Sequence, residues 1–505
     1  MKVAFRVDAS SQIGTGHFMR CLTLADALKQ QGCQIRFLSR HLPGHFQDLL
    51  AVKEHQFRPL SCSSNEVILD DLAHSHWLGV GQNADAQDSI QALTDQAWDW
   101  LVVDHYALDV RWESALRRMT KNILVIDDIA DRQHDSDILL DQNFYADMET
   151  RYVGKVSAHC QLLLSPRYAL LREEFRRMRE QVTPRTGLVK RILVSFGGVD
   201  ADNYTAQVIE AIANIGQYRL YVDVVVGAQH PHRDQIESAC AEHGFICHVQ
   251  TNRMAELMAS ADLAIGAGGS ASWERCCLGL PALIFSTANN QRPLVDEAAL
   301  RGLLYAPLVQ FGVAPSCELH LKALLNNPHL LQLISRRGLE AIDGLGAQRV
   351  LRAMGCNSIV MREATQADSE NLFAWRNHCS IRAVSRNADL IEESTHEAWL
   401  KAVLLDSNRV LLIGEYHGEA IGVVRFDMRD GEAEVSMYLV PDHQGEGFGS
   451  ELLSAAEQWL TAHRSDVQSI KAEVLGSNQP SHRLFRAGRY QPLSALYSKK
   501  VRHHI

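Results

Sequence analysis

Ile13-Gly14-Thr15-Gly16-His17 is the stretch on which the reading of this sequence turns. It lies between the apolar run Val3-Ala4-Phe5-Arg6-Val7 and a helical pattern in which Phe18, Cys21, Leu22, Ala25 and Leu28 recur before Gly32. Glycines at a strand-to-helix turn let the main chain approach a ligand closely, and backbone N–H groups at the start of a helix favour an anion. His17 stands at the mouth of the turn. Spacing alone fits a plain strand-to-helix turn with a surface histidine equally well. The stretch lacks both the six-residue dinucleotide fingerprint and the Gly-Lys-Ser/Thr ending of a P-loop, so neither a dinucleotide nor an ATP site follows from it.

Outward from this turn, strands and helices alternate. Gln34–Leu38, Trp100–Val103 and Ile123–Ile126 read as strands, and Trp112, Leu116 and Met119 lie in a helical pattern between the last two. Alternation of this kind implies a parallel sheet with helices on both faces and ligands beyond the carboxyl ends of the strands. Gly14–His17, Asp104-His105-Tyr106 and Asp127-Asp128 all fall at such ends. Asp127-Asp128 reads by itself as a helix cap or a turn.

A polar stretch, Arg172–Arg185, precedes a second alternating section. Arg191–Phe196 is a strand turning at Gly197-Gly198-Val199-Asp200, Leu220–Val226 is the next, and Asp262–Ile265 ends in Gly266-Ala267-Gly268-Gly269-Ser270. A helical pattern follows through Trp273-Glu274 to Leu278. Then come the buried strand Pro281–Phe285 and a helix opened by Asn289-Asn290-Gln291. Glu274 shares a helical face with Ser270, where a carboxylate accepts the hydroxyls of a ribose. Alone, it reads as a solvated charge.

The order of Gly-Gly-Ser…Glu, a Gly-x-Pro strand and Asn-Gln at a helix start resembles the nucleotide-sugar site of inverting GT-B glycosyltransferases. Phe5-Arg6-Val7-Asp8, Ile13–His17, Val103–Tyr106, Asp127-Asp128 and Ser165-Pro-Arg-Tyr-Ala-Leu-Leu-Arg-Glu-Glu-Phe175 are similar to one branch of that superfamily. That branch is the UDP-2,4-diacetamido-2,4,6-trideoxy-β-L-altropyranose hydrolases of pseudaminic acid biosynthesis. The resemblance covers about residues 1–350. It implies His17 as the base for water, with Tyr106 and Asn290 binding or orienting the sugar in the catalytic centre. It further implies Asp8, Gly14, Gly16, Gly198, Gly268 and Gly269 around the substrate, and Ser270 and Glu274 holding UDP.

After Met354-Gly-Cys-Asn-Ser358, read as a linker, a third section starts at Ile359. Leu372–Trp375 and Thr395–Leu404 read as helices, and Val410–Tyr416, Ala420–Asp427 and Ala433–Val440 as antiparallel strands. Gln444-Gly445-Glu446-Gly447-Phe448-Gly449-Ser450 then opens a helix, a turn that suits a pyrophosphate. Lys471–Val474 reads as a strand, and Asn478-x-x-Ser481 follows. This order is similar to GNAT acetyltransferases over about residues 358–505. The resemblance implies acetyl-CoA as cosubstrate, held by Gln444, Gly445, Gly447, Phe448, Gly449, Ser450 and Asn478. Leu372-Phe-Ala-Trp-Arg-Asn377 is similar to the subgroup that acetylates the 4-amino group of a UDP-amino sugar in the same pathway. Many GNAT enzymes carry a tyrosine acid where Phe485 aligns; either Tyr490 or Tyr497 replaces it, or the thiolate leaves unaided.

Composition sets the frame. The 505 residues carry 60 acidic and 50 basic side chains, a formal charge of −10, which argues against nucleic acid or an anionic membrane as the main partner. No apolar run is long enough to span a bilayer, and no secretory leader opens the chain, so a cytoplasmic protein is expected. The 11 scattered cysteines contain no C-x-x-C, and the 23 histidines no H-E-x-x-H, so neither disulfides nor a metal is expected. The expected architecture is α/β, with two Rossmann-like domains of GT-B type (1–180 and 181–355) followed by an α+β GNAT domain (358–505). The expected function is bifunctional: acetylation of a UDP-linked 6-deoxy amino sugar by acetyl-CoA, and hydrolysis of UDP from the product. A glycosyltransferase, or an inactive UDP-sugar-binding module joined to an N-acetyltransferase of protein or small molecules, are the alternatives. The oligomeric state is left open.

Overall fold

The computed structural model describes residues 1–493 except 11, 62–69, 198–199, 217, 287–290, 310–311, 357–358, 417, 445–447 and 489. The chain forms two compact units, residues 1–356 and 357–505.

The first unit contains two parallel sheets. In the first, β1 (Lys2–Val7), β2 (Gln34–Ser39), β3 (Gln56–Pro59), β4 (Trp98–Asp104), β5 (Thr120–Ile126), β6 (Ile138–Asp141) and β7 (Gln161–Leu164) lie in the order β3-β2-β1-β4-β5-β6-β7. Alternate residues feed opposite faces: Val3, Phe5 and Val7 pack with the Gly16–Gln30 helix, and Ala4 with Leu101, Val103 and Trp112 on the other side. A parallel sheet covered on both faces accounts for strands that are apolar almost throughout. In the second sheet, β8 (Arg191–Ser195), β9 (Tyr221–Val226), β10 (Ile246–Val249), β11 (Leu263–Ala267) and β12 (Ala282–Phe285) lie in the order β10-β9-β8-β11-β12.

The halves exchange segments. The Gly346–Ala353 helix returns to the first sheet, where Ala347, Val350 and Leu351 enter its core and Trp100 Nε1 donates to the Met354 carbonyl at 3.0 Å. Conversely, Tyr145, Leu171 and Phe175 pack with the second sheet. The unit is thus built on two Rossmann-like parallel sheets that share segments. Packing therefore does not respect a boundary at residue 180. Nor is Met354 part of a linker, since it is 3% exposed in the first core. The polar stretch after Arg172 is a clamp. It contains the Glu173–Arg179 helix, and Arg185 donates to the carbonyls of Met258, Ala259, Ala261 and Leu278.

The second unit is α+β. Its sheet, β13 (Val360–Glu363), β14 (Arg409–Tyr416), β15 (Glu419–Arg429), β16 (Glu432–Leu439) and β17 (Ser469–Ala472), follows chain order and is antiparallel except for the β16–β17 pair. The last strand lies two residues before its expected place. One face packs on Leu372 and Leu400, the other on Phe448, Leu452, Leu453 and Ala456.

Candidate functional site

The turn between β1 and the Gly16–Gln30 helix closes on itself. Gly14 N–H donates to the Ser10 carbonyl at 2.8 Å, and the Ser10 hydroxyl accepts from Ile13 N at 3.1 Å. Gly14 holds φ +79 with open space where a side chain would be, so conformation rather than crowding calls for glycine there. The expectation of a free anion-gripping N–H at Gly14 is corrected, because that group is spent inside the loop.

What the turn does is present His17 to the strand ends. His17 Nδ1 lies 2.6 Å from Asp104 Oδ1, at the end of β4. Arg20 Nη2 also lies 3.1 Å from Nδ1, so this nitrogen sits between a carboxylate that can only accept and a guanidinium that can only donate. Arg20, one helical turn on, donates Nε and Nη2 to Asp104 at 2.6 and 2.7 Å and Nη1 to Asp128 at 2.9 Å. Burial alone would raise the Asp104 carboxyl, but Arg20 and His17 outweigh it and hold it far below the usual carboxylate range. Tyr106 donates its hydroxyl to Asp128 Oδ1, and its ring meets His17 edge-on at 4.6 Å. Trp77 stacks on Tyr106 at 5.6 Å, with His74 against both.

Asp8 is not a surface ligand. Its side chain is 0% exposed and is bound by Arg6 at 2.7 Å, by the Ser39 hydroxyl at 2.8 Å and by Arg40 N at 2.7 Å. Arg6 on β1 and Asp8 just beyond its end, two residues on, meet on one face and there brace the sheet together with Asp85. Asp127 likewise turns inward, accepting from Ala130 N at 2.9 Å and pairing with Arg132, whereas Asp128 faces the His17 cluster.

Asp141, at the end of β6, is a further buried carboxyl on this rim. Burial, then Asp128 and Asp127, push it up to about 8. In the folded protein it therefore keeps its proton between about pH 4 and pH 8, where the unfolded chain has lost it. The folded state then binds more protons, so stability should fall as pH rises through this window, by at most about 1.4 kcal/mol per pH unit. Asp141→Asn should flatten this slope and raise the urea midpoint at pH 8. An unchanged slope in urea titrations from pH 5 to 8 would count against it.

In the second sheet, β11 ends in the predicted glycine-rich loop. Gly269 adopts φ +103, and a side chain on Gly268 would strike Val295 at 2.4 Å. Ser270 is exposed at the start of the Ala271–Cys277 helix, and Glu274 on that helix faces Arg172 at 3.4 Å. Burial raises the Glu274 carboxyl, against the pull of Arg172. Beneath the loop, the buried Arg275 donates to the Ala267 carbonyl at 2.6 Å, and burial pushes its guanidinium down to about 10. Gly16, in the first turn of its helix, makes no close side-chain approach. Gly198 and Asn290 lie outside the described residues.

In the second unit, β16 pairs with β17 only as far as Val435–Ala472, while pairing with β15 continues to Leu439. The strands thus part, and among the described residues no strand pairs with the β17-side edge of Ser436–Leu439. The Gly449–His463 helix begins within the Gln444–Ser450 stretch, of which Gly445 and Gly447 lie outside the described residues. Residues 369–488 match the family model described as Acetyltransferase (GNAT) family.

The second unit carries a GNAT acetyltransferase domain.

Over 366 residues the chain is 24% identical to the spore coat polysaccharide biosynthesis protein SpsG of Bacillus subtilis, covering 69% of this chain and 96% of that one. Over 209 residues it is 29% identical to the UDP-2,4-diacetamido-2,4,6-trideoxy-β-L-altropyranose hydrolase of Campylobacter jejuni, covering 41% of this chain and 64% of that one. Among solved structures, UDP-GlcNAc 2-epimerase from Neisseria meningitidis bound to UDP-GlcNAc aligns over 70% of this chain and 99% of that one, at 11% identity and a TM-score of 0.48. The chain joins a homologue of the hydrolase and of SpsG to the GNAT domain.

Within the GNAT domain, the Phe448 side chain is a core ring packed on Tyr416 at 5.0 Å, which leaves only its backbone for a ligand. Asn478 caps the Gln479–Ala487 helix, its Oδ1 accepting from Ser481 N at 3.2 Å, which commits that oxygen to the helix. Gln444 and Ser450 are exposed. Tyr490 does not stand free as a replacement acid: it donates to Glu457 at 2.7 Å, and burial with that carboxylate holds its hydroxyl far above the usual range. Tyr497 lies outside the described residues. Arg20, Trp77, His74 and Asn143 were not singled out by the sequence reading. Only Arg20 carried a signal, its spacing of three from His17 on one helical face.

Proposed function

We propose that the protein is a bifunctional enzyme of pseudaminic-type nonulosonic acid synthesis. Its GNAT domain acetylates the 4-amine of a UDP-linked 6-deoxy amino sugar, and the first unit then removes UDP from the product. The observation that carries this reading is the 2.6 Å contact between His17 and Asp104, with Arg20 fixing the carboxylate from its other side. In the proposed hydrolysis, His17 Nε2 takes a proton from water as the oxygen attacks the anomeric carbon. The bond from that carbon to the diphosphate oxygen breaks, and its electron pair leaves with UDP. Asp104 stays ionised and stabilises the imidazolium. UDP is a good leaving group, so one base suffices where ordinary glycoside hydrolysis uses two carboxylates. In this reading Gly268, Gly269, Ser270 and Glu274 hold UDP, and Tyr106 frames the sugar with its ring while Asp128 fixes its hydroxyl.

For acetyl transfer, the β17-side edge of β16 orients the thioester through backbone groups, and the turn at Gln444–Ser450 holds the pyrophosphate. The amine attacks the thioester carbonyl, its proton passes to a base, and CoA leaves as thiolate. Supplying the full chain with a UDP-4-amino-4,6-dideoxy sugar and acetyl-CoA should yield free CoA, UDP and an acetylated free sugar by mass spectrometry. Sugar release only in the presence of a hydroxyl acceptor would make the first unit a glycosyltransferase instead.

A further inference from the structure

Asn143 joins two groups far apart in the chain. It follows β6 on the rim of the first sheet and is buried. Its Oδ1 accepts from Trp273 Nε1 at 3.0 Å, and its Nδ2 donates to Asp128 Oδ2 at 3.2 Å. An indole N–H can only donate, which fixes the amide oxygen toward Trp273 and the NH2 toward the carboxylate. Trp273 is fully buried on the Ala271–Cys277 helix, between Ser270 and Glu274. From Asp128 the contacts run without a break: Arg20 Nη1 at 2.9 Å, Arg20 Nη2 to Asp104 at 2.7 Å, and Asp104 to His17 Nδ1 at 2.6 Å.

The residue type matters at this position. An amide donates to a carboxylate and accepts from an indole at the same time without adding charge. A carboxylate here would face Asp128, and a hydrocarbon would strand both the indole N–H and one contact of Asp128. A buried polar chain of this kind, fully satisfied, holds its members in one arrangement, so displacing one end moves the next.

We propose that Asn143 is a positioning residue that transmits occupancy of the Gly268–Glu274 site to the hydrolytic base, through Asp128, Arg20 and Asp104. The inference rests on the proposed UDP site at that loop. A ligand seated there shifts the helix that carries Trp273. The Trp273–Asn143 bond then changes how Asp128 shares Arg20 with Asp104, and so how Asp104 orients His17. Coupling of this kind is reciprocal and needs a contact that differs between the two states, which the indole–amide bond supplies.

The test uses the full chain with ¹⁵N-labelled histidine, the His17 ring signals being assigned by their loss in His17→Gln. UDP is the probe, with its affinity measured by calorimetry. The direct field of the diphosphate acts on His17 with or without Asn143, so the difference between native and Asn143→Leu is the transmitted part. We expect UDP to bind both proteins within about threefold and the His17 shifts on binding to be clearly smaller in the variant; kcat for UDP release should fall about tenfold or more. Trp273→Phe removes the indole N–H while keeping an aromatic side chain in the core, so it should give the same loss even if Asn143→Leu folds poorly. Equal UDP-induced shifts in native and variant proteins, with UDP bound to both, would overturn the relay alone. No UDP binding to the native protein would overturn the site assignment and the relay with it.

Discussion

His17→Ala is expected to slow UDP release from the acetylated UDP-sugar by roughly 10²–10⁴-fold, the usual worth of a positioned general base. The variant should remain folded. Asp104 keeps its two Arg20 bonds at 2.6 and 2.7 Å, so loss of the imidazole does not strand a buried charge. UDP affinity should change little, because the contacts proposed for UDP lie on β11 and the helix after it. The drop should therefore appear in kcat. The position of the new oxygen separates this mechanism from pyrophosphate hydrolysis. If water attacks the anomeric carbon, reaction in ¹⁸O-water labels the released sugar and leaves UDP unlabelled. Attack opposite the leaving group also inverts the anomeric centre, visible by rapid NMR before mutarotation. Label found in UDP would refute attack at carbon. Full activity of His17→Ala would refute only the base assignment.

Much of this site was legible because strand ends are legible. A parallel sheet gathers its carboxyl ends on one rim, so Gly14–His17, Asp104–Tyr106 and Asp127-Asp128 could be placed together before any distance was known. Sequence pattern does not say which way a strand-end carboxylate points. Asp8 and Asp104 both stand at such ends, yet Asp8 is walled in by Arg6 and Ser39 while Asp104 meets His17. The pair at 127–128 divides the same way: the turn reading suits Asp127, which accepts from Ala130 N, and fails for Asp128, which serves Tyr106 and Arg20. Asn143 was out of reach for a different reason. It follows β6, a four-residue strand buried throughout, too short to show a period of two. Its partner Trp273 is 130 residues away. The short strands β3, β7 and β10 escaped for the same lack of periodicity. The return of the Gly346–Ala353 helix to the first sheet has no local signature, since an amphipathic helix shows that it is buried but not against what.

In the GNAT domain the largest expected effect is on cosubstrate binding, with Ser450→Glu. Ser450 is exposed in the first turn of the Gly449–His463 helix, where backbone N–H groups lack partners within the helix. A carboxylate at that position favours the helix itself by about 0.3–1 kcal/mol through the macrodipole, so the fold should not suffer. For a pyrophosphate at the same turn the effect is reversed. A negative charge about 5 Å from a phosphate costs about 3 kcal/mol at an effective dielectric near 20, roughly a hundredfold in affinity. Ser450→Ala removes one hydroxyl without adding charge and should cost far less. The expected result is therefore a Ser450→Glu protein with unchanged or slightly raised melting temperature, acetyl-CoA affinity reduced about a hundredfold by calorimetry, and lost acetyl transfer. Release of UDP from a substrate acetylated beforehand should proceed at the native rate in the same full-length variant, because the charge was placed in the other unit. Native acetyl-CoA affinity in Ser450→Glu would remove the pyrophosphate from this turn. Loss of both activities together would mean that the two units do not work independently.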